Sequence, residues 1–172
     1  MDRFTPRQMF ALGFAGCVAG MSFALYLQYG QHLEPCPLCI FQRIAMISAG
    51  VVFLAGALHG PREWGRWVYA VLATLAAGAG VGLSARQVWL QGLPPDQVPA
   101  CGPTLDYLMQ MFPWREVVET VLKGDGECAK IAGIFLGITL PGWTLIAFVL
   151  MAFYAITTPL VARKGTHGVK IS

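Results

Sequence analysis

Charged positions are so sparse that they cut the chain into long apolar stretches. Residues 8–33 form a run of 26 without Asp, Glu, Lys or Arg, and 9–29 is apolar almost throughout. Residues 44–61 (18), 67–85 (19) and 131–162 (32) are likewise uncharged. Pro141-Gly142 interrupts the last of these and leaves 20 residues, 143–162. A helix that crosses a bilayer needs roughly 20 apolar residues. The pattern predicts four spanning helices, at about 9–29, 41–58, 67–89 and 143–162, the second taking in 39–43 at its interface end. Soluble helices keep a polar face, and these segments have almost none. The expected fold is an all-α membrane protein: one domain over 1–172, a four-transmembrane-helix bundle with a long loop at 90–142.

The loop has a pattern of its own. Leu93-Pro94-Pro95-Asp96 and Pro99-Ala100-Cys101-Gly102-Pro103 read as extended or turning segments, because each proline fixes its own φ and biases its predecessor away from helix. After Pro113, apolar residues recur at Trp114, Val117, Val118, Val121 and Leu122, with Arg115, Glu116, Glu119 and Lys123 on the other face. Gly124 and Asp125-Gly126 supply the stop and turn. This is a short amphipathic helix suited to lying in a membrane interface, where it would hold Cys128 near the surface.

Composition agrees with a membrane chain: 56% of residues are hydrophobic and 12% charged, against about 25% charged in a soluble domain. So apolar a chain is not disordered. A net charge of +3 without a basic stripe argues against nucleic acid. The distribution of Lys and Arg orients the bundle. Arg3, Arg7, Arg62, Arg66, Arg163, Lys164 and Lys170 fall on the side of the termini, and only Arg115, Lys123 and Lys130 fall in the long loop. The positive-inside rule then puts both termini in the cytoplasm and the loop outside, which in a bacterium is the periplasm of the inner membrane. Phe14-Ala15-Gly16-Cys17 has the outline of a lipoprotein cleavage box, but the apolar run continues to Leu27, so the first helix is expected to be retained.

The five cysteines sort by side. Cys36 and Cys39, in Cys36-Pro37-Leu38-Cys39, stand at the outer mouth of the second span. Cys101 and Cys128 lie in the outer loop, and Cys17 lies inside the first span as an inert thiol. Disulfides persist on the oxidising side, and a strained C-x-x-C ring tends to be labile and catalytic. Two other readings stay open. One is a pair of structural disulfides, although C-x-x-C closes too short a loop to stabilise much. The other is a four-cysteine metal site, although Cys101 and Cys128 are 27 positions apart rather than in a close knuckle. Arg43 and Arg86 sit at outer helix ends, against the positive-inside rule. Arg43 follows Cys39 by four residues and shares its helix face. With the helix dipole it would stabilise a thiolate at Cys39 and the negative charge developing on a lipid-soluble electron acceptor. Neither His32 nor His59 is paired for haem or metal, and both read as surface residues.

The run Glu34-Pro35-Cys36-Pro37-Leu38-Cys39-Ile40-Phe41-Gln42-Arg43 resembles the signature of the DsbB family, disulfide-forming oxidoreductases of the bacterial inner membrane. Leu93-Pro94-Pro95, Pro99-Ala100-Cys101-Gly102-Pro103, Gly126-Glu127-Cys128-Ala129, Phe135-Leu136-Gly137 and Pro141-Gly142-Trp143 resemble it in the same order, so the likeness covers nearly the whole chain. It implies a quinone-dependent thiol oxidase that accepts electrons from a periplasmic DsbA-type thioredoxin-fold protein. The partner would attack Cys101 of a disulfide between Cys101 and Cys128. Cys128 would then attack Cys36 of the Cys36/Cys39 disulfide, leaving Cys39 to face the quinone beside Arg43. The membrane quinone pool would take the electrons, with ubiquinone favoured over menaquinone. Some members carry a histidine after the third span, where this chain has Gln91-Gly92, and a tryptophan after the last cysteine, where it has Ala132-Gly133. Arg86, Trp89 and Leu90 are the further quinone-side candidates. The contrasting class is a non-enzymatic membrane protein braced by its cysteines. A reductase running the chemistry backwards would need an inner thiol pair, which Cys17 alone does not provide.

Overall fold

Thr5 opens the first helix for a local reason. Its hydroxyl accepts from the Gln8 N–H at 3.3 Å, and the Gln8 side chain accepts from the Thr5 N–H at 2.8 Å. This reciprocal cap, with Pro6 next, satisfies donors that a helix start leaves orphaned. Helix α1 then runs Pro6–Gly30. Helix α2, Pro37–His59, starts from an extended Cys36 and stops at Gly60, whose left-handed φ of 59° lets its N–H bond to Gly56 O at 3.0 Å. Arg7 reaches over from α1 and donates to Ala57 O (3.1 Å) and Leu58 O (3.4 Å), a cation at the helix end where the dipole favours one. Helix α3 is Trp64–Gln91. The computed structural model describes residues 5–33, 35–61, 64–94, 96–98, 105–124, 126–129, 131 and 133–166.

Three short helices follow: α4 (Leu105–Met111), α5 (Trp114–Lys123) and α6 (Gly126–Ala129). A small antiparallel hairpin comes next, β1 (Ile134–Phe135) on β2 (Ile138–Thr139), with Ile134 opposite Thr139. Its two-residue turn has positive φ at Leu136 (52°) and Gly137 (80°), as the twist of a tight hairpin demands. Trp143 steadies it, donating its indole N–H to Phe135 O at 3.0 Å. Helix α7 spans Leu140–Thr166. It starts three residues before the expected span, because Pro141 occupies the first turn, where its missing N–H costs nothing. Pro141-Gly142 is thus the entry to the helix and not a break in it.

Helices α1, α2, α3 and α7 are long and apolar enough to cross a membrane. They form a bundle in which α2 packs on both α1 and α3, α3 packs on α7, and α1 meets α7 more lightly. Small residues let the backbones approach. Ala45 and Ala49 of α2, Ala73 and Ala77 of α3, and Ala155 of α7 are buried around Phe10, Phe53 and Phe148. Membrane helices, which gain little from hydrophobic burial against one another, pack in this way through small residues. Among the described glycines of the long helices the tightest contact is at Gly80, where a Cβ would stand 2.3 Å from the fully buried Phe148 ring. At Gly82, one face away, a Cβ would meet nothing within 4 Å.

This gives a paired expectation. Gly80→Ala overpacks the α3/α7 seam and should cost about 1–3 kcal/mol, read as a lower thermal unfolding midpoint in detergent. Gly82→Ala should leave the midpoint unchanged or raise it. Equal behaviour of the two would show that the seam is not set by Gly80.

Candidate active site

The C-x-x-C motif wraps the start of α2. Cys36 is the N-cap, Pro37 fills the first turn, and Cys39 lies inside that turn. The two sulfurs come to 2.9 Å of each other. Between them Leu38 points the other way and is fully buried, in a second apolar cluster with Leu90, Leu108, Val117, Val121 and Cys128. Val117 and Val121 supply the inner half of the α5 stripe, while Trp114 and Leu122 remain exposed. This cluster is what fixes the short helices to the bundle.

It also fixes Cys128. The Cys128 side chain is completely buried and hydrogen-bonds to the Cys36 thiol. Three sulfurs therefore run in order Cys128, Cys36, Cys39. The hydrogen bond with Cys128, then that with Cys39, then burial, all push the Cys36 thiol up, so Cys36 holds its proton. Cys101 lies outside the described residues.

Two glutamines meet this row from the bundle side. Gln87 of α3 has its amide nitrogen 3.3 Å from the Cys36 sulfur and 3.3 Å from the Cys39 sulfur. Gln42 of α2 donates to the Gln87 amide oxygen at 2.8 Å. Both are buried, at 5% exposure for Gln42 and 3% for Gln87.

Beyond Cys39 the bundle opens into a cavity of about 410 Å³ between α1, α2, α3 and α7. Gln28, Cys39, Arg43, Met46, Gln87 and Phe148 are among its walls. Arg43 donates Nη1 to Gln28 Oε1 and Nη2 to Ala24 O at 3.3 Å. Among the described residues no carboxylate pairs with it, and the recorded ion pair is Lys123 with Glu119 on the surface of α5. A thiol pair, an unneutralised guanidinium and an apolar-walled cavity are thus contiguous. Such a site can break and make S–S bonds and hold an electron-accepting molecule beside one of the sulfurs. No group of three or more His, Cys, Asp or Glu side chains among the described residues is arranged to hold a metal ion.

The family model described as disulfide bond formation protein DsbB matches residues 6–158. The chain belongs to the DsbB family. It is 49% identical to the disulfide bond formation protein B of Nitrosococcus oceani over 149 residues, covering 87% of this chain and 88% of the relative. To the protein of the same name from Hahella chejuensis it is 52% identical over 145 residues (84% and 88%). To that from Xanthomonas oryzae pv. oryzae it is 46% identical over 165 residues (95% and 96%). With its four apolar helices the chain is a multi-pass membrane protein of disulfide bond formation.

Within this DsbB-type site the other sequence candidates separate. Arg86 does not line the cavity. Its guanidinium donates to Leu122 O at 3.3 Å and Lys123 O at 2.9 Å and stacks 4.3 Å over Trp89. It therefore caps the C-terminus of α5, satisfying carbonyls a helix end leaves open. Trp89 is half exposed beside it, and Leu90 belongs to the buried cluster around Cys128. Instead Gln87 and Gln91 face the cavity from α3. The sequence signal was available: an amide inside an apolar span is costly there and marks a site. Cys17 is buried against Met151, with sulfurs 3.8 Å apart, far along the chain from the row. His59 donates to or accepts from the Tyr69 hydroxyl at 2.9 Å.

Arg86 thus holds the layer that buries Cys128. Arg86→Ala should raise the alkylation rate of Cys128 several-fold, because hydrogen bonds from a charged group worth roughly 1.5–3 kcal/mol are lost, discounted for partial exposure. Peptide mapping of alkylated protein measures it. An unchanged Cys128 rate would show that the cap does not hold the layer.

Proposed function

We propose that this protein is a membrane thiol oxidase. In this reading it reoxidises a periplasmic DsbA-type thioredoxin-fold protein through two cysteine pairs and passes two electrons to a quinone. The observation that carries the reading is the sulfur row: Cys128 hydrogen-bonded to Cys36, Cys36 beside Cys39, and Cys39 on the cavity wall with Arg43.

A thiolate of the reduced partner attacks Cys101 of a disulfide between Cys101 and Cys128. The S–S electron pair leaves on Cys128, and the partner's second thiolate displaces Cys101 to close the partner's own disulfide. The Cys128 thiolate attacks Cys36, and the electron pair of the Cys36/Cys39 bond passes to Cys39. Cys101 then displaces Cys36 from Cys128, which restores the outer disulfide and leaves Cys36 and Cys39 as the reduced pair. Cys39, Arg43, Met46 and Phe148 line the cavity that would hold a quinone, and a quinone held there would supply the two-electron oxidation that returns the Cys36/Cys39 pair to its disulfide, with the two thiol protons balancing quinol.

The cavity residues fit such a guest. Met46 and Phe148 offer apolar walls, and Arg43 offers a guanidinium that no described carboxylate neutralises. Arg43 would orient the acceptor's carbonyl oxygen and stabilise charge developing on it. The orientation proposed is both termini in the cytoplasm and the cysteine end in the periplasm of the inner membrane. Arg7 and Arg66, at the bundle end opposite Cys36, support it by the positive-inside rule.

The test uses purified protein in detergent with a reduced thioredoxin-fold dithiol protein and a short-chain ubiquinone analogue. Wild type should form one disulfide per quinone consumed. Cys39→Ser should abolish quinone reduction. Cys101→Ser should abolish partner oxidation while a chemically reduced Cys36/Cys39 pair still reoxidises with quinone. Full quinone reduction by Cys39→Ser would overturn the relay.

Arg43→Ala should raise the apparent KM for the quinone analogue about tenfold or more, the cost of losing one hydrogen bond to a charged group. The rate of attack by the partner protein should stay within twofold, as seen in single-turnover mixing. Equal losses in both half-reactions would remove Arg43 from the acceptor site.

A further inference from the structure

One amide touches both sulfurs of the C-x-x-C pair. Gln87 lies deep in the bundle, and a buried amide in apolar surroundings is costly unless its groups are hydrogen-bonded. Its oxygen accepts from Gln42 Nε2 at 2.8 Å. That bond sets which way round the amide sits, since a flipped Gln87 would oppose one NH₂ group with another. Held so, Gln87 Nε2 faces the sulfurs, 3.3 Å from each. The Cys39 thiol is also 3.7 Å from Gln87 Oε1, so it can donate back when protonated. The same amide therefore meets both states of Cys39.

The chemistry makes one of these contacts matter. When a thiolate attacks Cys36, a new S–S bond forms there, and the pair from the broken Cys36/Cys39 bond lands on the Cys39 sulfur. Negative charge appears in a half-buried site. A donor already aimed at that atom is worth more than one that must be recruited. Arg43, one turn along α2, has Nη1 and Nη2 engaged by Gln28 and Ala24.

We infer that Gln87 is a catalytic residue of disulfide formation, donating to the Cys39 sulfur as charge develops on it, and that Gln42 is a positioning residue holding the Gln87 amide in the donating orientation. The direction of electron flow in this inference rests on the function proposed above.

The test compares Gln87→Met, Gln87→Glu, Gln42→Leu and the Gln42→Leu/Gln87→Met double variant in detergent. Three measurements are made. The first is the iodoacetamide rate of Cys39 in the reduced protein at neutral pH, by mass spectrometry. The second is kcat and KM for the partner protein with the quinone analogue. The third is the thermal midpoint. Gln87→Met should slow Cys39 alkylation and kcat about tenfold each, the low end of a hydrogen bond to a charged group, with partner KM unchanged. Gln87→Glu, similar in size but unable to donate when ionised, should be slower still. Gln42→Leu should fall between wild type and Gln87→Met, and add nothing in the Gln87→Met background, because it acts through that amide.

Wild-type alkylation of Cys39 in Gln87→Met overturns the inference, whatever happens to turnover. So does equal slowing by Met and Glu that tracks a lowered thermal midpoint, the signature of packing alone. If Gln87→Met does not accumulate, Gln42→Leu decides: unchanged Cys39 alkylation overturns the inference. A wild type that fails to reduce quinone while its Cys39 alkylation depends on Gln87 overturns the proposed function and leaves the Gln87 contact standing.

Discussion

Inside an apolar bundle a polar side chain must find its partner within the protein. The hydrogen bond between Gln42 and Gln87 meets that constraint across α2 and α3, and much of the site depends on it. Elsewhere these helices are held by shape, with alanines and glycines fitted around Phe10, Phe53 and Phe148. Shape packing of this kind tolerates small slips. An amide pair does not, because a slip of one residue turns each group by about 100° and unpairs it. The tie therefore fixes α3 against the start of α2, and with it the distance from Gln87 to both sulfurs.

The same 100° step explains how two neighbouring residues serve different layers. Leu38 and Cys39 leave the first turn of α2 in different directions. Leu38 enters the cluster made by Leu90, Leu108, Val117 and Val121, and so anchors α5 and α6 to the bundle. Cys39 faces the cavity with Arg43. Cys36, as N-cap, sits where the two directions diverge, next to Cys128 on one side and Cys39 on the other. The three-residue spacing thus does more than close a small ring. It joins the loop layer to the cavity through a single sulfur.

The four long helices were legible because sparse charge marks them so plainly, and α5 because its apolar residues recur at helical spacing between Pro113 and Gly124. The hairpin was not. Its turn residues, Leu136 and Gly137, lack the Asn-Gly or Asp-Gly signal, and Leu136 adopts its positive φ under the hold of Trp143 on Phe135. Helices α4 and α6, of seven and four residues, are too short to carry a period. The cysteine motif and Arg43 could be read from spacing on one helix. Arg86 could not, because an arginine at an outer helix end looks alike whether it faces a ligand or caps another helix; only the tertiary position of Leu122 O and Lys123 O distinguishes them. Gln87 is inconspicuous in the sequence for a related reason: an uncharged amide leaves the charge pattern intact, and its meaning lies in Gln42, 45 positions away.

The burial of Cys128 constrains the order of any thiol exchange. Another protein cannot bring a thiolate into line with a sulfur that is completely enclosed. Attack on Cys128 from outside would first require the α5/α6 layer to lift from Leu38 and Leu90, against the Arg86 cap and the buried valines. Attack by Cys128 on Cys36 requires no such movement, since the two thiols already share a hydrogen bond. In the proposed relay this asymmetry gives Cys101 the external exchange and Cys128 the internal one. A small thiol in solution likewise meets the layer before it meets Cys128, so the protection falls on Cys128 itself, while Cys36 and Cys39 stay partly exposed at the cavity.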